Sequence, residues 1–189
     1  MPASPKLTPA SSPIWDPLPL SLVRHGAALI SSGLVFGFVV PLATYPRLAL
    51  TAHIQFAVQG TAVVAAGLLL NSTFAPAPTA PSPSRAGSEP GTGFPGQAAT
   101  RLVDRLAAWQ RKVVYWSIVG IWPMLLTEVG NAWWGTTGLL KIASEAAGLG
   151  GGKGPAAAWM EVVVELAHKA CAVGLVFVWP IILYGLSMV

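Results

Sequence analysis

At 189 residues, 53% hydrophobic and only 10% charged, with a mean hydropathy of +0.62, the chain carries far less charge than the roughly 25% usual in a soluble domain, which excludes an ordinary water-soluble fold and points to the bilayer. A net charge of +4 and a pI near 9.6 do not mark a nucleic-acid partner, because the basic residues sit beside apolar runs instead of forming a patch interleaved with aromatics. The single cysteine, Cys171, excludes an intrachain disulfide and a cysteine-based zinc site.

In chain order, residues 1–21 are rich in proline, which cannot continue a helix, and they read as a disordered tail. Residues 26–46 carry no charge, and GAALISSGLVFGFVVPLA is long enough to cross about 30 Å of hydrocarbon as a first helix. After Tyr45-Pro46-Arg47, TAHIQFAVQGTAVVAAGLLL supplies a second helix, and the short connection makes 22–70 an antiparallel hairpin. Residues 71–100, dominated by Pro, Ala, Ser and Gly without periodicity, read as a disordered loop. RLVDRLAAWQRK places Leu102, Leu106 and Trp109 on one helical face and its charges on the other, an interfacial turn feeding the third spanning helix, VVYWSIVGIWPMLLTEVGNAWW. Pro123 predicts a kink there. A glycine-rich connection then leads to a fourth helix, AAAWMEVVVELAHKACAVGLVFVWPIILYGL. The expected fold is all-α, a polytopic membrane protein built as an up-down bundle of four transmembrane helices, with 101–189 as its second half. Ser31, Ser32, Gly33 and Gly37 give helix one a small-residue face suited to a homo-oligomer or to packing within the chain.

The basic residues set the orientation. The tail and the 72–112 region hold Lys6, Arg24, Arg85, Arg101, Arg105, Arg111 and Lys112, against Arg47, Lys141 and Lys153 on the other side. The excess places both termini and the long loop in the cytosol, with the endoplasmic reticulum or another endomembrane as the expected location. The lipid bilayer and a small lipophilic substrate are the expected partners.

Ionisable groups at membrane depth cost roughly 2.5 kcal/mol or more, so each one is a functional hypothesis. The candidates gather toward the non-cytosolic helix ends. Glu161, Glu165 and His168 stand at i, i+4 and i+7 on helix four, while helix three offers Glu128 and Asn131. Helix two offers His53, Gln55 and Gln59, with Tyr45 and Arg47 at its mouth. His53, Glu128, Glu161, Glu165 and His168 are the candidate acid–base groups, and Arg47, Tyr45, Gln55, Gln59, Asn131, Trp122 and Trp159 the candidate substrate-binding groups. Beside this stands a plainer reading, in which Glu165 and Lys169 form a solvated i, i+4 ion pair and Gln55 and Gln59 merely bond neighbouring helices. His25, next to Arg24, reads as a cytosolic anchor. Glu165-Leu-Ala-His168 matches one Glu-x-x-His motif, but di-iron bundles need two, so no metal is assigned.

The run Pro46-Arg47-Leu-Ala-Leu-Thr-Ala-His53 with Gly60, preceded by Gly37-Phe-Val-Val-Pro41, resembles the hydroxylaminobenzene mutase family of small integral membrane proteins. Glu161 and the Leu183-Tyr184-Gly185-Leu186 end of helix four resemble that family too, and Tyr115, Trp122 and Trp134-Gly135 do so loosely. The likeness covers most of the chain outside the tail and the 72–100 loop. It departs at Gln55, where the family tends to carry Glu, and at Glu165, His168 and Lys169, where the family is largely apolar. What it implies is an isomerase that moves a hydroxyl from nitrogen to the ortho ring carbon without a cofactor, with a related cyclase, an epoxide-opening enzyme or a non-enzymatic channel, carrier or assembly subunit as alternatives.

Asn71-Ser72-Thr73 fits the glycosylation pattern, yet this topology puts it on the cytosolic side against the membrane. Glycosidase treatment of the protein from a eukaryotic host is expected to leave its gel mobility unchanged; a shift reverses the orientation.

Overall fold

The computed structural model describes residues 16–74, 100–138, 141–149 and 155–187. The expected disordered tail up to residue 15 and the 75–99 part of the expected disordered loop lie outside the described residues, as does the glycine run at 150–154. Four helical stretches dominate: α1 (Pro17–Gly37), α2 (Pro46–Asn71), the end-to-end pair α4 (Ala108–Val119) and α5 (Ile121–Trp134), and α7 (Ala158–Ser187). Their lengths of 21, 26, 27 and 30 residues, with α4 and α5 counted as one span, are enough to cross a bilayer. The all-α four-helix membrane bundle read from the sequence is the architecture found. Minor elements are β1 (Thr73–Phe74), β2 (Thr100–Arg101), α3 (Leu102–Arg105) and α6 (Lys141–Ser144), the last running into a π turn at Glu145–Leu149.

Helix α1 begins at Pro17, earlier than the apolar run alone indicates, because Asp16-Pro17 is a helix-start signature. The Asp16 carboxylate accepts the Leu18 N–H at 2.9 Å and Pro17 presets the first helical φ. Asp16 also pairs with Arg111 at 3.5 Å, tying the start of α1 to α4. This earlier start moves His25 from a cytosolic anchor to the interior of a span.

The seam between α1 and α2 depends on glycine. A Cβ at Gly26 would lie 2.6 Å from the Gly60 carbonyl oxygen, and one at Gly60 would lie 2.8 Å from that of Gly26. The pairing runs antiparallel: Gly67 faces Pro19, Gly60 faces Gly26, Phe56 fills the space at Gly33, and the His53 ring fills that at Gly37. Close backbone approach is what lets helices associate in lipid, where no hydrophobic drive separates protein from solvent. The Gly33 and Gly37 face offered above to a second copy is therefore occupied within the chain. Ser31, two residues before Gly33 and so on the opposite side of the helix, is exposed.

The hairpin α1–α2 packs on α4–α5, and α7 leans on the other side of α4 and α5. The N-terminal end of α1 and the C-terminal end of α7 lie at one face of the bundle. At that face Thr73 pairs with Arg101 and Phe74 with Thr100, a clasp extended by the bond from the Leu102 N–H to the Ser72 carbonyl at 3.0 Å. The expected amphipathic face of Leu102, Leu106 and Trp109 does not form. Leu106 and Ala107 are extended, breaking the helix, so Leu102, Val103 and Leu106 are buried, the two leucines against Gly185 of α7, while Trp109 is left 62% exposed. The kink expected at Pro123 appears as a break at Gly120, the residue between α4 and α5, because proline has no N–H to bond the carbonyl four residues back.

Replacing Gly60 with valine must separate α1 from α2. The substitution is expected to destabilise the protein by about 1–3 kcal/mol, read as a lower apparent melting temperature in detergent, while Ser31→Val leaves it unchanged.

Candidate acid–base site

The C-terminal turns of α5 and the N-terminal half of α7 bring two of the candidates into contact. Glu128 is 3% exposed, and its Oε1 lies 2.8 Å from Nε2 of His168, whose side chain is 14% exposed. His168 Nδ1 is 2.8 Å from the carbonyl of Val164, four residues earlier on the same helix. A carbonyl only accepts, so Nδ1 carries a hydrogen and the tautomer is fixed. What moves is the single proton between Nε2 and Oε1: with it on nitrogen the pair is ionic, with it on oxygen both partners are neutral. The second carboxylate oxygen, Glu128 Oε2, is buried and has no hydrogen-bond partner among the described residues.

Asn131, fully buried one turn along α5, lies at the same end of the helix. Its Oδ1 accepts the Thr136 N–H at 2.6 Å, while its Nδ2 and the hydroxyl of Thr136 are buried without a partner among the described residues. α5 closes at Gly135, whose φ of +68° favours glycine and whose N–H bonds the Asn131 carbonyl. The Tyr45 ring packs over Gly135, where a Cβ would lie 2.6 Å from it, and the Tyr45 N–H bonds the Ala132 carbonyl at 2.8 Å. Each orphaned buried polar atom costs about 1–3 kcal/mol, a penalty removed by water or by a ligand that offers the complementary group.

Glu161 holds this end of α5 from the other side. Its Oε1 accepts the Thr137 N–H at 2.8 Å and its Oε2 the Gly138 N–H at 3.1 Å. Both oxygens are thus engaged by backbone donors, the arrangement of a positioning carboxylate. Glu165 points away from the pair, half exposed and bonded to Lys169, the plainer of the two readings. The i, i+4, i+7 stripe therefore divides: three side chains spread over about 60° of helix surface meet the turn, the lipid side and α5 respectively.

His53 is not in contact with this pair. Its Nδ1 donates to the Gly33 carbonyl at 2.8 Å, across the seam to α1, and its ring lies over Gly37. Gln55 and Gln59 are half-buried with no hydrogen bond among the described residues, and Arg47 is exposed. Trp159 is 56% exposed and stacks edge-on with Trp134 at 5.6 Å. Trp122 serves elsewhere, donating from Nε1 to His25 Nδ1 at 3.2 Å, and His25 also meets Tyr115 edge-on at 6.1 Å. This His25–Tyr115–Trp122 group was missed from the sequence, and the Asp16-Pro17 helix start is the signal that places His25 at depth. Thr136 was missed as well, for it carries no periodicity and becomes buried only through the cap at Gly135. Among the described residues no group of three His, Cys, Asp or Glu side chains converges as a metal site.

The two glutamates of α7 are expected to behave differently. Glu161→Ala releases two backbone N–H groups and should cost about 1–2 kcal/mol locally, seen as faster amide exchange at residues 136–138. Glu165→Ala should change stability by no more than about 0.5 kcal/mol.

No protein-family model, no curated protein and no solved structure matches this chain, so the site stands on its own residues.

Proposed function

We propose that the protein is an integral membrane isomerase that rearranges a small lipophilic, hydroxylamino-like aromatic substrate by acid–base chemistry, with Glu128 and His168 as its proton-carrying pair. The observation that carries this reading is the buried Glu128–His168 bond with Oε2 left unpartnered beside it. A carboxyl group in such a place is suited to deliver a proton and take one back. In the rearrangement one proton enters at the hydroxylamino oxygen, the N–O bond breaks and water departs. Water then bonds the ortho carbon and gives up one proton, and the ring hydrogen passes to nitrogen. No electron is gained or lost and the product is an isomer of the substrate, so exclusion of bulk water is the main further requirement.

Asn131 Nδ2 and the Thr136 hydroxyl supply a donor and a donor–acceptor at the same end of α5, fitting an N–OH group. The Pro46-Arg47 to His53 pattern that resembles the mutase family supports the substrate class, and under this reading His53 and Glu161 hold the scaffold of the site. A conduction path fits less well. The opposite half of the bundle is closed by Leu18, Leu22, Leu70, Leu102, Leu106 and Ile182, all buried. In this reading the N-terminal end of α1 and the C-terminal end of α7 face the cytosol, and the protein resides in an endomembrane.

With the protein in liposomes and N-phenylhydroxylamine supplied, 2-aminophenol measured by liquid chromatography and mass spectrometry is the expected product. Glu128→Gln and His168→Phe should each lower its formation by about 100-fold or more, with Arg24→Gln unaffected. Full activity in both variants removes the pair from the mechanism, and absence of product from the wild type removes the substrate class.

A further inference from the structure

Helix α7 carries two seams on opposite sides. One, with Val164, Cys171 and Val178 at seven-residue intervals, is buried in the bundle against α4 and α5. The other runs through Val162, Leu166, Lys169, Val173 and Val176, at the alternating spacing of four and three that keeps one stripe of a helix against a neighbouring helix. All five are exposed, and Glu165 stands beside Lys169 at the edge of this stripe.

A helix face turned to lipid is ordinarily apolar, yet this one bears two charges. Trp159, edge-on to Trp134 at 5.6 Å, and Tyr184 stand near the two ends of α7, as aromatic rings do at the two headgroup levels. At about 1.5 Å per residue, Glu165 lies about 9 Å and Lys169 about 15 Å along the helix from Trp159, at the depth of the hydrocarbon. The two side chains bond each other and are 50% and 66% exposed, respectively. Charged groups at such depth are costly and turn toward a bundle interior or a partner, so an ion pair left facing outward marks a surface that another helix covers.

We propose that the outer face of α7 is a self-association surface, on which a second copy of this chain packs its own α7 in parallel about a two-fold axis normal to the membrane. Two copies inserted in the same direction are related by such an axis, which sets each residue at the same depth as its equivalent. A lone charge beside that axis would meet its like. Opposite charges one turn apart on each helix instead interleave into a ring of four, the Glu165 of each copy beside the Lys169 of the other, with no net charge. An acyl chain offers this pair nothing, and a different protein would need the same two charges in the same register, which a second copy brings of necessity. The apolar residues of the stripe pack above and below the ring at the spacing of a left-handed helix crossing. The small-residue face of α1 is filled by α2, which leaves α7 to carry the association. This surface is independent of the acid–base reading, since His168 meets Glu128 on another side of α7.

Light scattering of the full chain in mild detergent is expected to give a dimer. In Cys171→Ala protein carrying Val176→Cys, treatment with copper phenanthroline in liposomes should link two copies, whereas Ser31→Cys on the exposed side of α1 in the same background should stay unlinked. Glu165→Lys sets four like charges around the axis and should lower the dimer fraction by about tenfold or more. Exchanging the pair, Glu165→Lys with Lys169→Glu, restores the alternation and should return the dimer. A monomeric wild type, linkage no greater through Val176→Cys than through Ser31→Cys, a dimer undiminished by Glu165→Lys, or a helical charge-exchanged protein that stays monomeric overturns the proposal.

Discussion

A polar atom at membrane depth has no water to fall back on, and that constraint accounts for where many of the described polar side chains go. His53 spends its Nδ1 hydrogen on the Gly33 carbonyl of α1, within reach of its ring because Gly37, over which the ring lies, has no side chain. His25 and Trp122 satisfy each other. Thr51, Thr61 and Ser72 bond carbonyls four residues back within their own helix. Against that background four buried polar atoms lack a hydrogen-bond partner among the described residues: Asn71 Oδ1 at the end of α2, and those of Glu128, Asn131 and Thr136, which lie along the last turns of α5 and just beyond it.

The same constraint explains why helix ends matter so much. α5 ends with a left-handed glycine, an asparagine folded over its last turn and a glutamate from α7 bonded to the amides of Thr137 and Gly138. This polar cap pairs the amides of Thr136, Thr137 and Gly138 and fixes α7 against α5, the register in which His168 meets Glu128. The carboxylate of Glu161, bonded to two backbone amides, and that of Glu128, bonded to His168, thus have different partners, although both lie on what looks in sequence like one polar belt.

Much of the architecture was legible. Uncharged runs of about twenty residues dictate spans, and their short connections dictate antiparallel neighbours, so four helices and their order followed from composition and length. The pairing of helices α5 and α7 through Glu128 and His168 was within reach of spacing arguments, which put both at corresponding depth. What spacing does not encode is which of several residues within 60° of each other on one helix meets a partner. Glu161, Glu165 and His168 were equivalent by periodicity and are separated by the neighbours they meet: a turn, lipid and a carboxylate. The small-residue face of α1 was ambiguous for a similar reason, since a glycine seam reads alike whether its partner is another chain or the next helix. Trp109 was misplaced because two extended residues at Leu106 and Ala107 break a helix that propensity alone continues.

The clasp of Thr73–Phe74 on Thr100–Arg101 has a further meaning. Strands paired in this way stand roughly 5 Å apart, so Phe74 and Thr100 are held side by side at one point of the bundle face. Doubling the length of a connection closed in this way costs only about 0.6 kcal/mol in closure entropy. The clasp therefore holds both ends of the connection between the two helical hairpins together, so that a change of chain length between residues 74 and 100 costs little in closure entropy.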